Sequence, residues 1–361
     1  MLEEMTAKNS TADESPPHNT SATYDYTSPT AAFFDPAWQL ANAVEFYFQY
    51  AIIGIGIFGT AANALVLYGL VAYHARETKK RAINLLMINQ NLLDLLSCVL
   101  LAITYSIKVS NIHLTGALGY YLCTIFINAN AHSCTLQASI INLMAITVER
   151  YLKVVHPFWS KKYLKRWMIY ATTVFVWVGG ILIRVVPAAF VTTIVQDGVC
   201  HRFSVWESPE AKATYGFWSF ISFCVFPAML FVYCYGRIVL VVRRQARVMA
   251  AHNAQASAQT NAAQMESERV KWNIIKTMII VSVALVICWF PVNIAPLAVS
   301  GGGEQSLSYM FLYASIFLAY LYICMNPFIY ASKHDGVKQT LAGLMVRCRR
   351  AEVTASGVDA S

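Results

Sequence analysis

The sequence predicts an all-α membrane protein: a bundle of seven transmembrane helices with a short amphipathic eighth helix after it. Three observations carry this reading. The chain has 361 residues, of which 57% are hydrophobic and only 13% charged, against about 25% charged in a soluble domain. Nearly uncharged stretches recur near 47–73, 83–107, 123–148, 167–190, 214–236, 277–299 and 309–332. Each is close to or above the roughly 20 residues that cross a hydrocarbon core of about 30 Å. Lysine and arginine then concentrate in alternate connections, as the positive-inside rule requires.

Residues 1–45 precede the first span. They are rich in Ser, Thr, Asp, Glu and Pro, with Lys8 as the only Lys or Arg, a composition that predicts disorder. Asn9 and Asn19 each open an acceptor sequon, usable only on the lumenal side. The first residues lack an apolar core, so the first span is expected to act as the insertion signal.

Arg76, Lys79, Lys80 and Arg81 separate the first two spans, and Lys153, Lys161, Lys162, Lys165 and Arg166 follow the third. Arg243, Arg244, Arg247, Arg269 and Lys271 separate the fifth and sixth, and Lys333, Lys338, Arg347, Arg349 and Arg350 follow the seventh. The other connections hold little beyond Lys108, Arg202 and Lys212. The basic side is therefore expected to be cytoplasmic, with the N-terminus extracellular and the C-terminus inside. The net charge of +8 suits an anionic inner leaflet and requires no nucleic acid. The connection between the fifth and sixth spans is Ala- and Gln-rich, so both helices are expected to extend beyond the bilayer around a flexible middle. The seven-span unit covers 46–332, and 333–361 holds the amphipathic helix and a cytoplasmic tail.

Most of the nine cysteines lie inside spans, where they behave as small hydrophobes. Cys123 opens the third span from outside and Cys200 lies in the outside loop after the fourth, so a disulfide between them is expected. Cys348, in a basic juxtamembrane setting, is a palmitoylation candidate or an unmodified thiol.

Polar groups inside spans are costly and are functional candidates by default. Asp94 needs a partner, a proton or an ion. At a rise of ~1.5 Å per residue, Asn63, Asp94, Ser139 and Asn326 fall at comparable depth, enough to form one polar cluster, structural or switching. Glu149 and Arg150 stand together at the cytoplasmic edge of the third span, where a snorkelling arginine and a solvated acid are the plain alternative.

Taken in order, these features resemble the rhodopsin-like class of G-protein-coupled receptors. The matching residues are Asn63 in the first span, and Asn89 with Asp94 in "NQNLLD". Cys123 and Glu149-Arg150-Tyr151 match in the third, Trp177 in the fourth, and Pro227 and Tyr235 in the fifth. "CWFP" (Cys288 to Pro291) matches in the sixth and "NPFIY" (Asn326 to Tyr330) in the seventh.

The resemblance implies a plasma-membrane receptor, not an enzyme, that binds an extracellular ligand and activates a heterotrimeric G protein as the sixth helix swings outward. It implies a resting Glu149–Arg150 pair, approached on activation by Tyr235 and Tyr330. Pro291 and Pro327 loosen their helices, and Phe158 packs on the G protein. No cofactor is required, but Asp94, Ser139 and Asn326 would match a sodium site acting as a negative allosteric modulator.

The sequence also departs from that pattern. Cys123 lies two residues farther from Arg150 than is usual, so the third helix is longer or its outer end bulges. Gly116 stands where the first outside loop commonly has tryptophan. Leu285 replaces an aromatic, Lys271 an acid, and Tyr322-Ile323 a polar pair.

The ligand site is expected around Asn128, His132, Leu136, Arg184, Trp289, Asn293 and Tyr320. Asn128 and His132 are four apart and would share a helix face. His132 stands where amine receptors carry aspartate, which disfavours an ammonium ligand. It is a ligand contact or a hydrogen-bonded core histidine. Tyr320 stands where opsins carry the retinal lysine, which disfavours a chromophore. Arg184 lies roughly 25 Å along the fourth span and either snorkels outward or meets an anionic ligand group. A peptide ligand is favoured over a non-amine small molecule. A seven-helix transporter or light-responsive protein is the more distant alternative: neither paired broken helices nor a lysine in the seventh span is present.

Overall fold

The computed structural model describes residues 36–76, 81–110, 112–128, 130–189, 192–196, 198–205, 209–253, 258–300 and 309–333, with isolated positions up to 346. Seven helices within it are long and apolar enough to cross a membrane, in the order and near the positions that hydropathy predicts. They often overrun their apolar spans. The first runs Pro36–Arg76, the fifth continues to Asn253, and the sixth starts at Ala258, before its apolar window at Ile275. The overruns flanking 254–257 follow the good helix formers of that connection.

The first helix corrects the boundary placed at 45. Helix begins at Pro36, whose fixed φ suits a first helical position. The sequons at Asn9 and Asn19, the modification candidate Cys348 and most of the expected eighth helix lie outside the described residues.

An all-helical reading also missed two strands. Thr192–Gln196 (β1) and Val199–Val205 (β2) pair antiparallel, with Gln196 opposite Val199. Gly198, just before Val199, has φ +78°. That is the hairpin geometry favoured by an Asp-Gly pair, and "QDGVC" contains one.

The third span is axial: 67% of its apolar window is buried, against 22% for the fourth. It packs on the second, fourth and fifth, while the seventh packs on the first and sixth. Gly180 allows the fourth helix to press against the third, since a Cβ there would sit 2.7 Å from Ala138 Cβ and 2.8 Å from the Cys134 carbonyl. The bundle's outer face carries large apolar groups such as Phe175, Val232 and Ile287, all more than half exposed. So much apolar surface is a liability in water and suits lipid.

Two helices widen locally. Leu122–Ile127 is a π-helical turn, closed by the Asn128 amide donating 2.9 Å to the Cys123 carbonyl, and regular helix restarts at Asn130. The two-residue offset before Arg150 is thus met by a bulge. In the fifth span a second π turn, Ile221–Val225, comes just before Pro227, whose ring would clash with the carbonyl four residues earlier in a regular helix.

Candidate functional site

The functional side chains fall into three layers between the disulfide end of the bundle and the Arg150 end. At the first end the Cys123–Cys200 disulfide is formed, with Cα atoms 5.5 Å apart, and ties β2 to the third helix. The Leu114 amide donates to the Gly198 carbonyl at 3.0 Å, pinning the hairpin tip to the first loop. Gly116 in that loop has φ +59°, a conformation costly for other residues, which accounts for glycine there.

The expected pairing of Asn128 with His132 is corrected. The π turn and break separate them, so the four-residue spacing no longer defines one face. Asn128 instead places Oδ1 3.8 Å from Cys200 Sγ and belongs with the disulfide.

Farther along the third helix toward Arg150 comes an aromatic and polar layer. His132 is buried and its Nδ1 is 3.0 Å from the Ser97 carbonyl. A carbonyl only accepts, so Nδ1 carries the proton and Nε2 of the neutral ring is an acceptor. The His132 ring meets Tyr320 edge-on at 5.3 Å, and Tyr320 meets Trp289 at 6.4 Å. Trp289 stacks on Phe223 at 5.4 Å. Gln137, five residues on from His132 in the same helix, donates to the Ser222 carbonyl at 3.5 Å.

Three buried atoms here, His132 Nε2, Gln137 Oε1 and Trp289 Nε1, have no hydrogen-bond partner among the described residues. An unpaired buried polar atom costs about 1–3 kcal/mol, so a ligand that pairs them gains what the bare site forfeits. Arg184 resolves toward the bundle: its guanidinium lies 4.9 Å over the Phe223 ring and donates 3.4 Å to Ser219 Oγ. Asn293 spends its Nδ2 on the Trp289 carbonyl at 2.8 Å, beside Pro291. Leu136 is buried in the surrounding core.

The middle layer is Asp94. Ser139 Oγ donates to Oδ1 at 2.8 Å and Asn326 Nδ2 to Oδ2 at 2.8 Å. Gln90 Nε2, one turn earlier, lies 3.2 and 3.4 Å from the two oxygens and also meets Ser139 Oγ, so its two N–H groups are shared among three acceptors. Asn63 accepts from Asn91 at 3.0 Å and caps the Gly59 carbonyl at 2.9 Å, so it braces the same layer without touching Asp94. Asn326 and the neighbouring Pro327 lie in the helix Tyr309–Lys333, both buried.

A sodium ion at Asp94 fits this donor set poorly. A carboxylate offers about four lone-pair directions, and Ser139, Asn326 and the doubly placed Gln90 amide take four contacts. Gln90 was overlooked in the sequence, although its spacing of one helical turn before Asp94 was a signal.

At the third layer Arg150 Nε lies 3.5 Å from Glu149 Oε2, and Lys153 Nζ contacts Glu149 Oε1. The expected pair is thus a shared carboxylate. Tyr235 Oη is 2.9 Å from Thr147 Oγ1 and 3.3 Å from Ser282 Oγ, bridging the third, fifth and sixth helices. Tyr151 is near His156, and Phe158 is 87% exposed in the short helix Pro157–Tyr163. The side chain of Tyr330 lies outside the described residues. Among the described residues no three His, Cys, Asp or Glu side chains gather as a metal site.

A bundle of seven membrane-length helices, with a disulfide-tied hairpin at one end and an acid–arginine pair at the other, has the architecture of a seven-helix receptor. The family model for the 7 transmembrane receptor (rhodopsin family) matches residues 62–330. The chain belongs to that family, and so is a multi-pass membrane protein of the G-protein-coupled receptor class. Somatostatin receptor type 5 of Rattus norvegicus is 24% identical over 285 residues, covering 78% of this chain and 73% of that one. Proteinase-activated receptor 3 of Rattus norvegicus is 26% identical over 289 residues, covering 76% and 69%. Among solved structures, squid rhodopsin superposes with a TM-score of 0.70 at 18% identity, covering 89% of this chain and 90% of that one.

Proposed function

We propose that the protein is a plasma-membrane receptor whose disulfide end is extracellular. It binds a peptide beneath the β1–β2 hairpin and activates a heterotrimeric G protein at the Arg150 end. The observation that carries this reading is the layer around Trp289 with its three unpaired polar atoms. Two acceptors and one donor, between aromatic walls, suit a ligand whose amides offer both hydrogens and carbonyls. The relative named for somatostatin, a peptide hormone, supports the same class. A non-amine small molecule is the second reading, favoured by the aromatic enclosure of Trp289, Tyr320 and Phe223.

In the mechanism the ligand pulls on Trp289 in the sixth helix, just before Pro291. Proline removes one backbone hydrogen bond and leaves the helix a bending point. Outward movement of the far half separates Ser282 from Tyr235, at a cost of about 1 kcal/mol for one hydrogen bond, and frees Tyr235 to approach Arg150. Pro327 gives the seventh helix comparable freedom. The opened groove, flanked by Phe158, receives the G protein.

The test is a peptide library applied to the full-length receptor in cells, read by G-protein activation. A peptide agonist is expected, and His132→Phe should weaken its potency roughly tenfold, the equivalent of one lost hydrogen bond to a buried group. Activation only by non-peptide compounds would favour the second reading.

A further inference from the structure

The Asp94 layer is the end of a hydrogen-bonded chain that starts in the fourth helix. Trp177 Nε1 donates to Asn89 Oδ1 at 3.1 Å, and Asn89 Nδ2 donates to Asn142 Oδ1 at 2.9 Å. Asn142 Nδ2 donates to Gln90 Oε1 at 2.9 Å and to the Leu86 carbonyl at 3.0 Å. Gln90 Nε2 then faces Asp94 and Ser139. An amide can normally be turned end for end without changing its shape. Here it cannot. The Trp177 indole is only a donor, so it requires Asn89 Oδ1 and points Nδ2 at Asn142. The Leu86 carbonyl is only an acceptor, so it independently fixes Asn142 the same way. Gln90 must therefore present its oxygen to Asn142 and its N–H groups to the carboxylate.

We infer that Gln90, oriented by Asn142, Asn89 and Trp177, is the built-in counter-group of Asp94 and takes the place of a cation there. Its two N–H groups, shared among both carboxylate oxygens and Ser139 Oγ, supply positive partial charge there and occupy lone pairs an ion would need. Gln90, Asn142 and Asp94 are each at most 1% exposed, so no rotation into solvent vacates the site. Sodium could enter only by displacing an amide held at both ends. The receptor's resting state is accordingly independent of sodium, and this holds whatever its ligand or G protein.

The experiment is thermal unfolding of the purified full-length receptor in lipid nanodiscs, in sodium chloride against choline chloride at matched ionic strength. The wild type is expected to unfold at the same temperature in both salts. Gln90→Leu removes the donor and should gain a sodium-specific rise of roughly 3 °C, the scale of a ligand binding only the folded state. Gln90→Glu keeps the shape but replaces the amide with a second carboxylate, and should gain a larger rise. This second variant carries the test if the leucine variant fails to fold. A sodium-specific rise in the wild type that Asp94→Asn removes would overturn the inference. Indifference to sodium in the folded Gln90 variants would overturn it equally.

Discussion

Glu149→Ala is expected to raise ligand-independent nucleotide exchange about tenfold. Glu149 is buried and is shared by Arg150 and Lys153. Removing it leaves two cations without their common partner at the end of the helix, where each loses its ion pair with the acid. That penalty falls on the resting arrangement, in which Arg150 is held by the acid. A shift of 1.4 kcal/mol between the two states is already about tenfold in their ratio. The measurement is nucleotide exchange on purified heterotrimeric G protein with equal amounts of reconstituted wild type and variant. Lys153→Ala should raise exchange less, because Arg150 keeps its acid.

Cys200→Ser is expected to lower thermal stability on the order of 10 °C and to abolish peptide agonism. The disulfide closes a loop spanning 77 positions, and in the chain-entropy account such a loop is worth roughly 4 kcal/mol. The tie also holds β2 over the third helix, with the hairpin tip fixed to Leu114. Releasing one anchor frees the hairpin from the third helix, and in the proposed reading the peptide binds beneath that hairpin. Unfolding in detergent with and without reductant provides the check, since reductant should bring the wild type toward the variant. Equal stability and equal peptide response in both proteins would remove the hairpin from the binding account.

The seven spans are legible in the sequence because hydropathy over some twenty residues is a strong local signal. The motif residues are legible because each polar group in lipid needs a reason. What escaped depends on geometry at the scale of one residue. A π turn changes which side chains share a face without altering composition, so Asn128 was assigned to His132 when it belongs beside Cys200. The hairpin had a signal in the Asp-Gly of "QDGVC", masked by the expectation of helices throughout. Asp94, Ser139 and Asn326 meet as depth along the helices implies. Gln90 escaped because its importance comes from Asn142, Asn89 and Trp177, which lie on three helices. Arg184 could be resolved only once the fifth helix placed Ser219 and Phe223 against it.

In the proposed mechanism the Glu149–Arg150 step is the switch through which the receptor drives a G protein. The most direct test is nucleotide exchange by Glu149→Ala and by the Glu149→Ala/Arg150→Ala double variant, each purified, inserted in nanodiscs and offered a panel of heterotrimeric G proteins. Raised exchange on at least one G protein is expected with the single variant, and a return to the receptor-free rate with the double. Raised exchange that survives the loss of Arg150, in a receptor unfolding at the wild-type temperature, would contradict that mechanism.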